Sequence, residues 1–415
     1  IQLLDINIRK KKSKAFISWG EVIIGPFDFL SSLKELIDKQ FISKFDLVKD
    51  ITSDMSSEEE MIKCRGCAAK LAFTPLSSAL KKVDLIESSK DDSMNIGILN
   101  SDKTLIQSVD GFPSLISDPW LNGRLLAFHS CSDIWACGGS VISAQSLINL
   151  PSISNNLQQE LLYQVLEGIN SALTIQGANL IGGHTLESRK ISEEPFSLGI
   201  ESSLTVNGVI DDKKYFWPKG GMRNGDEILI SRSLGTGIIF SAFMNGQVKP
   251  YILDNVLTEM NKSQHEIVNY INQLTNLNPR SKIVNACTDI TGFGLLGHLS
   301  EMLESTNSDQ LKMNLEPFKV TLELDNIPLY DGVKELLDKG FESTLAPANQ
   351  IFLKNIDGDK NLRFELTSND SSSNRSFYNA MLKILVDPQT CGPLVVCCSP
   401  IYSEKLIQQG PWICL

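Results

Sequence analysis

The chain has 415 residues, 42% hydrophobic and 21% charged, with a formal net charge of −11. That composition suits a globular protein large enough for two cored domains, and the acidic balance excludes a surface built to neutralise nucleic-acid phosphates, which needs clustered Lys and Arg. No apolar run reaches the roughly 18 residues of a membrane helix, and no stretch has the basic start, apolar middle and small-residue cleavage site of a secretory signal.

Taken in chain order, residues 1–60 differ in pattern from the rest of the chain. The run "RKKKSK" (9–14) is short and reads as a solvated face. Apolar and polar residues alternate loosely through "SKAFISWGEVIIGP", and "DFLSSLKELIDKQFISKF" then has helical spacing. The acidic, Ser-rich "DITSDMSSEEE" (50–60) reads as a linker. The start on Ile1, in mid-pattern, and the ending "PWICL" read as a piece of something longer. From residue 61 to about 215, strands and long helices mix. "TLIQSVD" and "VISAQSLINL" read as strands, "NLQQELLYQVLEGINSAL" presents one apolar helical face, and "PFSLGIESSLTVNG" returns to strand. The turn-rich "PKGGMRNGDE" (218–227) marks the boundary to a second half, residues 216–415. That half opens with the strand "EILISRSLG", predicts helices near 253–275, 294–304 and 329–338, and carries a polar surface insertion at 354–376.

The stretch "MIKCRGCAAKLAF" (61–73) sets Cys64 and Cys67 three apart, with Lys70 one turn further on. It reads as half of a zinc site, a redox dithiol, or a nucleophile with a cationic helper. A zinc site lacks its second ligand pair, because no other C-x-x-C and no close His pair exists among only four histidines. Nine scattered cysteines, an odd number, argue for a reducing cytoplasm over a disulfide framework. Asp92, Asp110, Asp133 and Asp289 stand at the ends of elements beside glycine-rich turns, and His129 lies four residues before Asp133 on one helix face. Each is also an ordinary cap or turn residue. Together they suit a hard cation such as Mg²⁺ holding a polyphosphate. The glycine turns "GANLIGGHTLES" and "TDITGFGLLGH" match neither a Walker loop nor a dinucleotide fingerprint.

"GCAAK", "KDD", "SVDGF", "SDIWACGG", "GGHT", "TDITGFGLLGHLSEM" and "DPQTCG" occur in the order found in the selenophosphate synthetase (selenide, water dikinase) family, which residues 62–415 resemble. The resemblance implies an α+β, two-domain synthetase of the aminoimidazole ribonucleotide synthetase-like superfamily, with mixed sheets packed with helices, acting as a homodimer. The implied reaction converts ATP, selenide and water to selenophosphate, AMP and orthophosphate. By motif, Cys67 and Lys70 match the catalytic pair, and Asp92, Asp133 and Asp289 the magnesium ligands, with Asp110 beside them. Lys90, Asp91, Gly183, His184 and Thr185 match nucleotide-contacting positions, as do Lys70, Asp110 and Asp133. The chain departs from the family pattern at Ala68, Ala69, His129 and Pro393, where glycine, cysteine, asparagine and glycine are frequent.

Residues 1–50 resemble the tail of a pyridine-nucleotide–disulfide oxidoreductase fused ahead of the synthetase. FAD is expected only for the missing part of that flavoprotein, because its Gly-rich fingerprints are absent here. Two other readings stand beside the synthetase: a purine-pathway ATP-dependent ligase of the same superfamily, and a non-catalytic nucleotide-binding partner of the flavoprotein.

Overall fold

A computed structural model of the chain describes residues 2–6, 14–19, 22–27, 65–69, 73–74, 91–100, 103–188, 198–211, 216–312, 316–357, 363–367 and 375–415. The chain divides into two compact units, Ile1–Met61 and Ile62–Leu415. The first contains an antiparallel sheet of β1 (Gln2–Ile6), β2 (Lys14–Trp19) and β3 (Val22–Phe27), in that order. The helix expected over 28–45 and the acidic stretch 50–60 lie outside the described residues.

The second unit is α+β. Its larger sheet has the order β4-β5-β8-β6-β7, formed by β4 (Met94–Asn100), β5 (Lys103–Pro113), β6 (Ser140–Leu150), β7 (Asn179–Glu187) and β8 (Glu201–Ile210). Every pairing is antiparallel except β6 with β7. A parallel pair needs a long crossover. Here the crossover helix is α2 (Asn155–Thr174). Helix α1 (Pro119–Ala136) starts at Asp118, whose carboxylate accepts from the Leu121 N–H at 2.9 Å, with Pro119 at the first helical position. Almost all of α1 is buried, because it packs against β5 and β8 on one side and against strands of the second sheet on the other. Helices α1 and α2 touch backbone to backbone. A Cβ on Gly123 would lie 2.2 Å from the Val165 oxygen, and one on Gly168 would lie 2.0 Å from that of Trp120.

The second sheet has the order β10-β13-β9-β14, all antiparallel. Its strands are β9 (Glu227–Ile230), β10 (Ala286–Asp289), β13 (Leu394–Cys398) and β14 (Ile413–Cys414). Around it lie α3 (Thr236–Met244), α4 (Pro250–Met260), α5 (His265–Leu277) and α6 (Gly294–Lys312), with shorter helices and a parallel pair of β11 (Lys319–Glu323) with β12 (Arg363–Thr367). No described helix is long and apolar enough to cross a membrane.

Three expectations change in detail. The strand "EILISRSLG" stops at Ile230, and the single helical region near 253–275 is two helices broken at 261–264. The polar stretch 354–376 contains strand β12, so part of it belongs to the fold.

Candidate active site

Strand period and helix period meet at β5 and α1. Ser108 and Asp110, two apart, lie on one face of the strand, and His129 and Asp133, four apart, lie on one face of the helix. Ser108 Oγ donates to Asp133 Oδ2, and His129 Nε2 lies 3.1 Å from Asp110 Oδ2. The Cys391 N–H donates to His129 Nδ1 at 3.3 Å, which assigns the imidazole proton to Nε2, facing Asp110. Asp110 lies inside β5, three residues before its end, rather than at the strand's terminus.

Asp92 and Asp289 reach the same place from other elements. Asp92 sits just before β4, and Asp289 is the last residue of β10. One carboxylate oxygen each from Asp92, Asp133 and Asp289 lie within 4.8 Å of one another. Ser132, beside Asp133 on α1, donates to Asp289 Oδ2. Burial, then the neighbouring Asp289, Asp110 and Asp92, push the Asp133 carboxyl well above the usual range. Burial also raises Asp92, to about 6, even though Lys219 pulls the other way. Crowded carboxylates of this kind are hard oxygen donors whose mutual repulsion a divalent cation relieves.

Lys219 and Glu301 complete the surroundings, and neither was marked by the sequence as a site residue. Lys219 Nζ lies 2.5 Å from Asp92 Oδ1 and 3.1 Å from Glu301 Oε2, and the Lys219 N–H donates to Asp91 Oδ1 at 3.1 Å. Burial pushes the Lys219 ammonium toward neutrality, but Asp92 and Glu301 outweigh it and hold it charged. Burial likewise raises Glu301, but Lys219 and His298 outweigh it and hold the carboxyl well below the usual range. His298 Nε2 accepts from the Thr291 N–H at 3.2 Å, leaving Nδ1 3.4 Å from Glu301.

The "DPQT" segment (387–390) is turned toward the start of a helix. Gln389 Oε1 accepts from the Gly235 and Thr236 N–H groups, and Asp387 Oδ2 accepts from Ile238 at 3.3 Å, so these side chains cap the first turn of α3. The buried Asp387 carboxyl is pushed up to about 8, by burial first, against the pull of these donors. Thr390 in turn packs on the turn Gly66–Ala69 that carries Cys67. Gly66 has φ +64°, and a Cβ there would lie 2.5 Å from Thr390 Oγ1 and 3.1 Å from Leu115. The side chain of Cys67, and Cys64, Lys70 and Lys90 entirely, lie outside the described residues.

Gly183, His184 and Thr185 are not in a turn. They are exposed residues inside β7, which is an edge strand of the larger sheet. A Cβ on Gly183 would lie 2.2 Å from the Ser146 carbonyl oxygen, so glycine there serves the close approach of β6. At Pro393 the carbonyl accepts the Ile290 N–H at 2.8 Å, so the chain pairs through the group proline retains.

Two family models place this architecture. Residues 90–209 match the AIR synthase related protein N-terminal domain, and residues 223–407 match its C-terminal domain. Among solved structures, thiamine monophosphate kinase from Aquifex aeolicus is similar in fold, with a TM-score of 0.54 at 15% identity over 82% of this chain and 91% of that one. A structure described as "AaThiL complexed with AMPPCP and TMP" gives a TM-score of 0.56 at 16% identity over 83% and 90%. The class is thus the AIR synthase related fold. Within it, a selenide, water dikinase of Treponema denticola is 30% identical over 80% of this chain and 82% of its own length. One of Clostridioides difficile (strain 630) is 28% identical over 84% and 90%. The chain belongs to the selenide, water dikinase family.

Proposed function

We propose that the chain is a selenide, water dikinase that converts ATP, selenide and water to selenophosphate, AMP and orthophosphate. The observation that carries this reading is the convergence of Asp92, Asp133 and Asp289, in a chain whose relatives of that name cover most of its length. The three carboxylates are the residues that would hold Mg²⁺, and they fit it by donor chemistry and proximity. Bound there, Mg²⁺ supplies charge neutralisation of the triphosphate so that an anionic nucleophile can approach. The Ser108 and Ser132 hydroxyls orient two of the carboxylates, and His129 orients Asp110. Lys70 neutralises charge on the phosphoryl group in transfer, and Lys90, Asp91, Asp110, Gly183, His184 and Thr185 contact the nucleotide. Cys67 would position selenide as the nucleophile by non-covalent contact, with no sulfur–selenium bond formed, and selenide needs no strong base because it is already anionic at neutral pH.

The remaining elements extend this reading. Residues 61–215 form the ATP-binding domain and 216–415 the second domain. A homodimer through the larger sheet would cover Val109, Ile142, Leu147, Ile181 and Leu186, which stand exposed on its strands. Residues 1–50 are the end of a fused pyridine-nucleotide–disulfide oxidoreductase, and the reducing cytoplasm keeps the buried free thiols reduced. The test is ³¹P NMR of an anaerobic reaction with ATP, Mg²⁺ and selenide. Selenophosphate, AMP and orthophosphate in equal amounts support the reading, and ADP as the nucleotide product contradicts it.

A further inference from the structure

Two of the three clustered carboxylates are held by neutral hydroxyls: Asp133 by Ser108 and Asp289 by Ser132. Asp92 is held by a cation. Lys219 Nζ lies 2.5 Å from Asp92 Oδ1, with Thr288 Oγ1 more distant at 3.3 Å from the same oxygen. Lys219 is itself fixed, only 8% exposed, by Glu301 Oε2 on α6 at 3.1 Å and by its own N–H on Asp91 at 3.1 Å. Its ammonium therefore occupies a lone-pair direction of one oxygen of the Asp92 carboxylate and cannot swing into solvent without breaking a buried ion pair.

We propose that Lys219 is a built-in counter-cation that assembles the carboxylate cluster without metal and competes with the divalent ion for Asp92. The inference rests on the reading of Asp92, Asp133 and Asp289 as a metal site. Three carboxylates forced together repel one another, and Lys219 removes much of that repulsion in the empty state. The same contact weakens the site for a divalent ion alone, because the ion must share or displace the ammonium at Asp92. A metal that arrives already bound to triphosphate brings extra oxygen ligands and meets that cost more readily. Lys219 thus acts as a positioning residue that tunes the site toward the metal–nucleotide complex over the free ion. Glu301 sets the balance, since it holds the second side of the ammonium.

The experiment titrates the full chain with Mn²⁺ in the absence of nucleotide, following free Mn²⁺ by EPR, and records thermal unfolding with and without Mn²⁺. Lys219→Met keeps the length of the side chain and removes the charge. It should bind Mn²⁺ on the order of tenfold tighter than the parent, and should unfold at a lower temperature without metal, with the gap closing as Mn²⁺ is added. Glu301→Gln should do the opposite to affinity, because the ammonium is then left to Asp92 alone, and Lys219→Arg should stay near the parent. An unchanged or weaker affinity in Lys219→Met, or an equal loss of thermal stability with and without Mn²⁺, overturns the proposal and leaves a plain structural ion pair. Asp289→Asn separates the two levels. If it loses Mn²⁺ binding while Lys219→Met gains none, the inference falls alone; if it binds as the parent does, the metal-site reading falls and the inference with it.

Discussion

Ser132 on α1 donates a hydrogen bond to Asp289 at the end of β10, a residue 157 positions later in the chain. This contact ties the helix that carries Asp133 to the strand that carries Asp289, within the packing of α1 on the second sheet, so two carboxylates of the cluster are placed by one seam. Ser132→Ala should leave Asp289 buried and short of a donor. Leaving a buried acceptor unsatisfied costs roughly 1–3 kcal/mol, so urea unfolding should show a loss of about 2 kcal/mol. An unaltered midpoint would mean that the seam is held elsewhere.

Asp387 gives a pH dependence that can be isolated. Its folded pKa is raised from 3.8 to about 8, chiefly by burial, so the folded state keeps a proton that the unfolded chain releases near pH 4. The associated stability is fully present below the unfolded value and is lost as pH rises toward about 8, with a slope of up to about 1.4 kcal/mol per pH unit. Asp387→Asn should remove this component. The difference in unfolding free energy, parent minus variant, should fall between about pH 5 and pH 8; a flat difference contradicts the assignment.

The carboxylates were legible in the sequence because each stands in a motif of its own, although Asp110 lies inside β5 and Asp133 inside α1 rather than at an element end. Their partners were not. Lys219 lies in "PKGG", which has the composition of a boundary turn, and its partners Asp92 and Glu301 are far off in the chain. Ser108 and Ser132 are small hydroxyls that pattern alone cannot separate from filler, although their spacing from Asp110 and Asp133 becomes meaningful once strand and helix are paired. "GGHT" reads as a turn because glycine pairs usually mark one. Here Gly183 instead answers a backbone contact with Ser146, which only the β6–β7 register reveals.

That contact makes Gly183→Ala informative. A methyl group 2.2 Å from a carbonyl oxygen must push β6 and β7 apart. Overpacking of this kind costs about 1–3 kcal/mol, and nucleotide affinity should fall with it if "GGHT" contacts ATP. Calorimetric titration with the non-hydrolysable ATP analogue AMPPCP checks this, and an affinity equal to the parent's would remove the strand from the nucleotide site.

His129 links Asp110 to the Cys391 backbone. His129→Phe keeps the ring and deletes both contacts, and losing these buried polar contacts should cost about 1–3 kcal/mol. Turnover should drop along with stability, whereas His129→Asn should recover part of both. Equal behaviour of the two variants would show that the ring's hydrogen bonds are not used.

The proposal that the Cys67 turn brings selenium to a nucleotide held at the aspartate cluster stands on the family likeness and on the convergence of Asp92, Asp133 and Asp289. It is tested most directly by AMP formation from ATP, with and without selenide, in the parent, Cys67→Ser and Cys64→Ser chains, alongside nucleotide binding. Selenide should stimulate AMP formation in the parent and in Cys64→Ser, and this should be lost in Cys67→Ser with nucleotide affinity nearly unchanged, because serine keeps the size but not the acidity of the thiol. A Cys67→Ser chain that still turns over, beside a Cys64→Ser chain that does not, would contradict it.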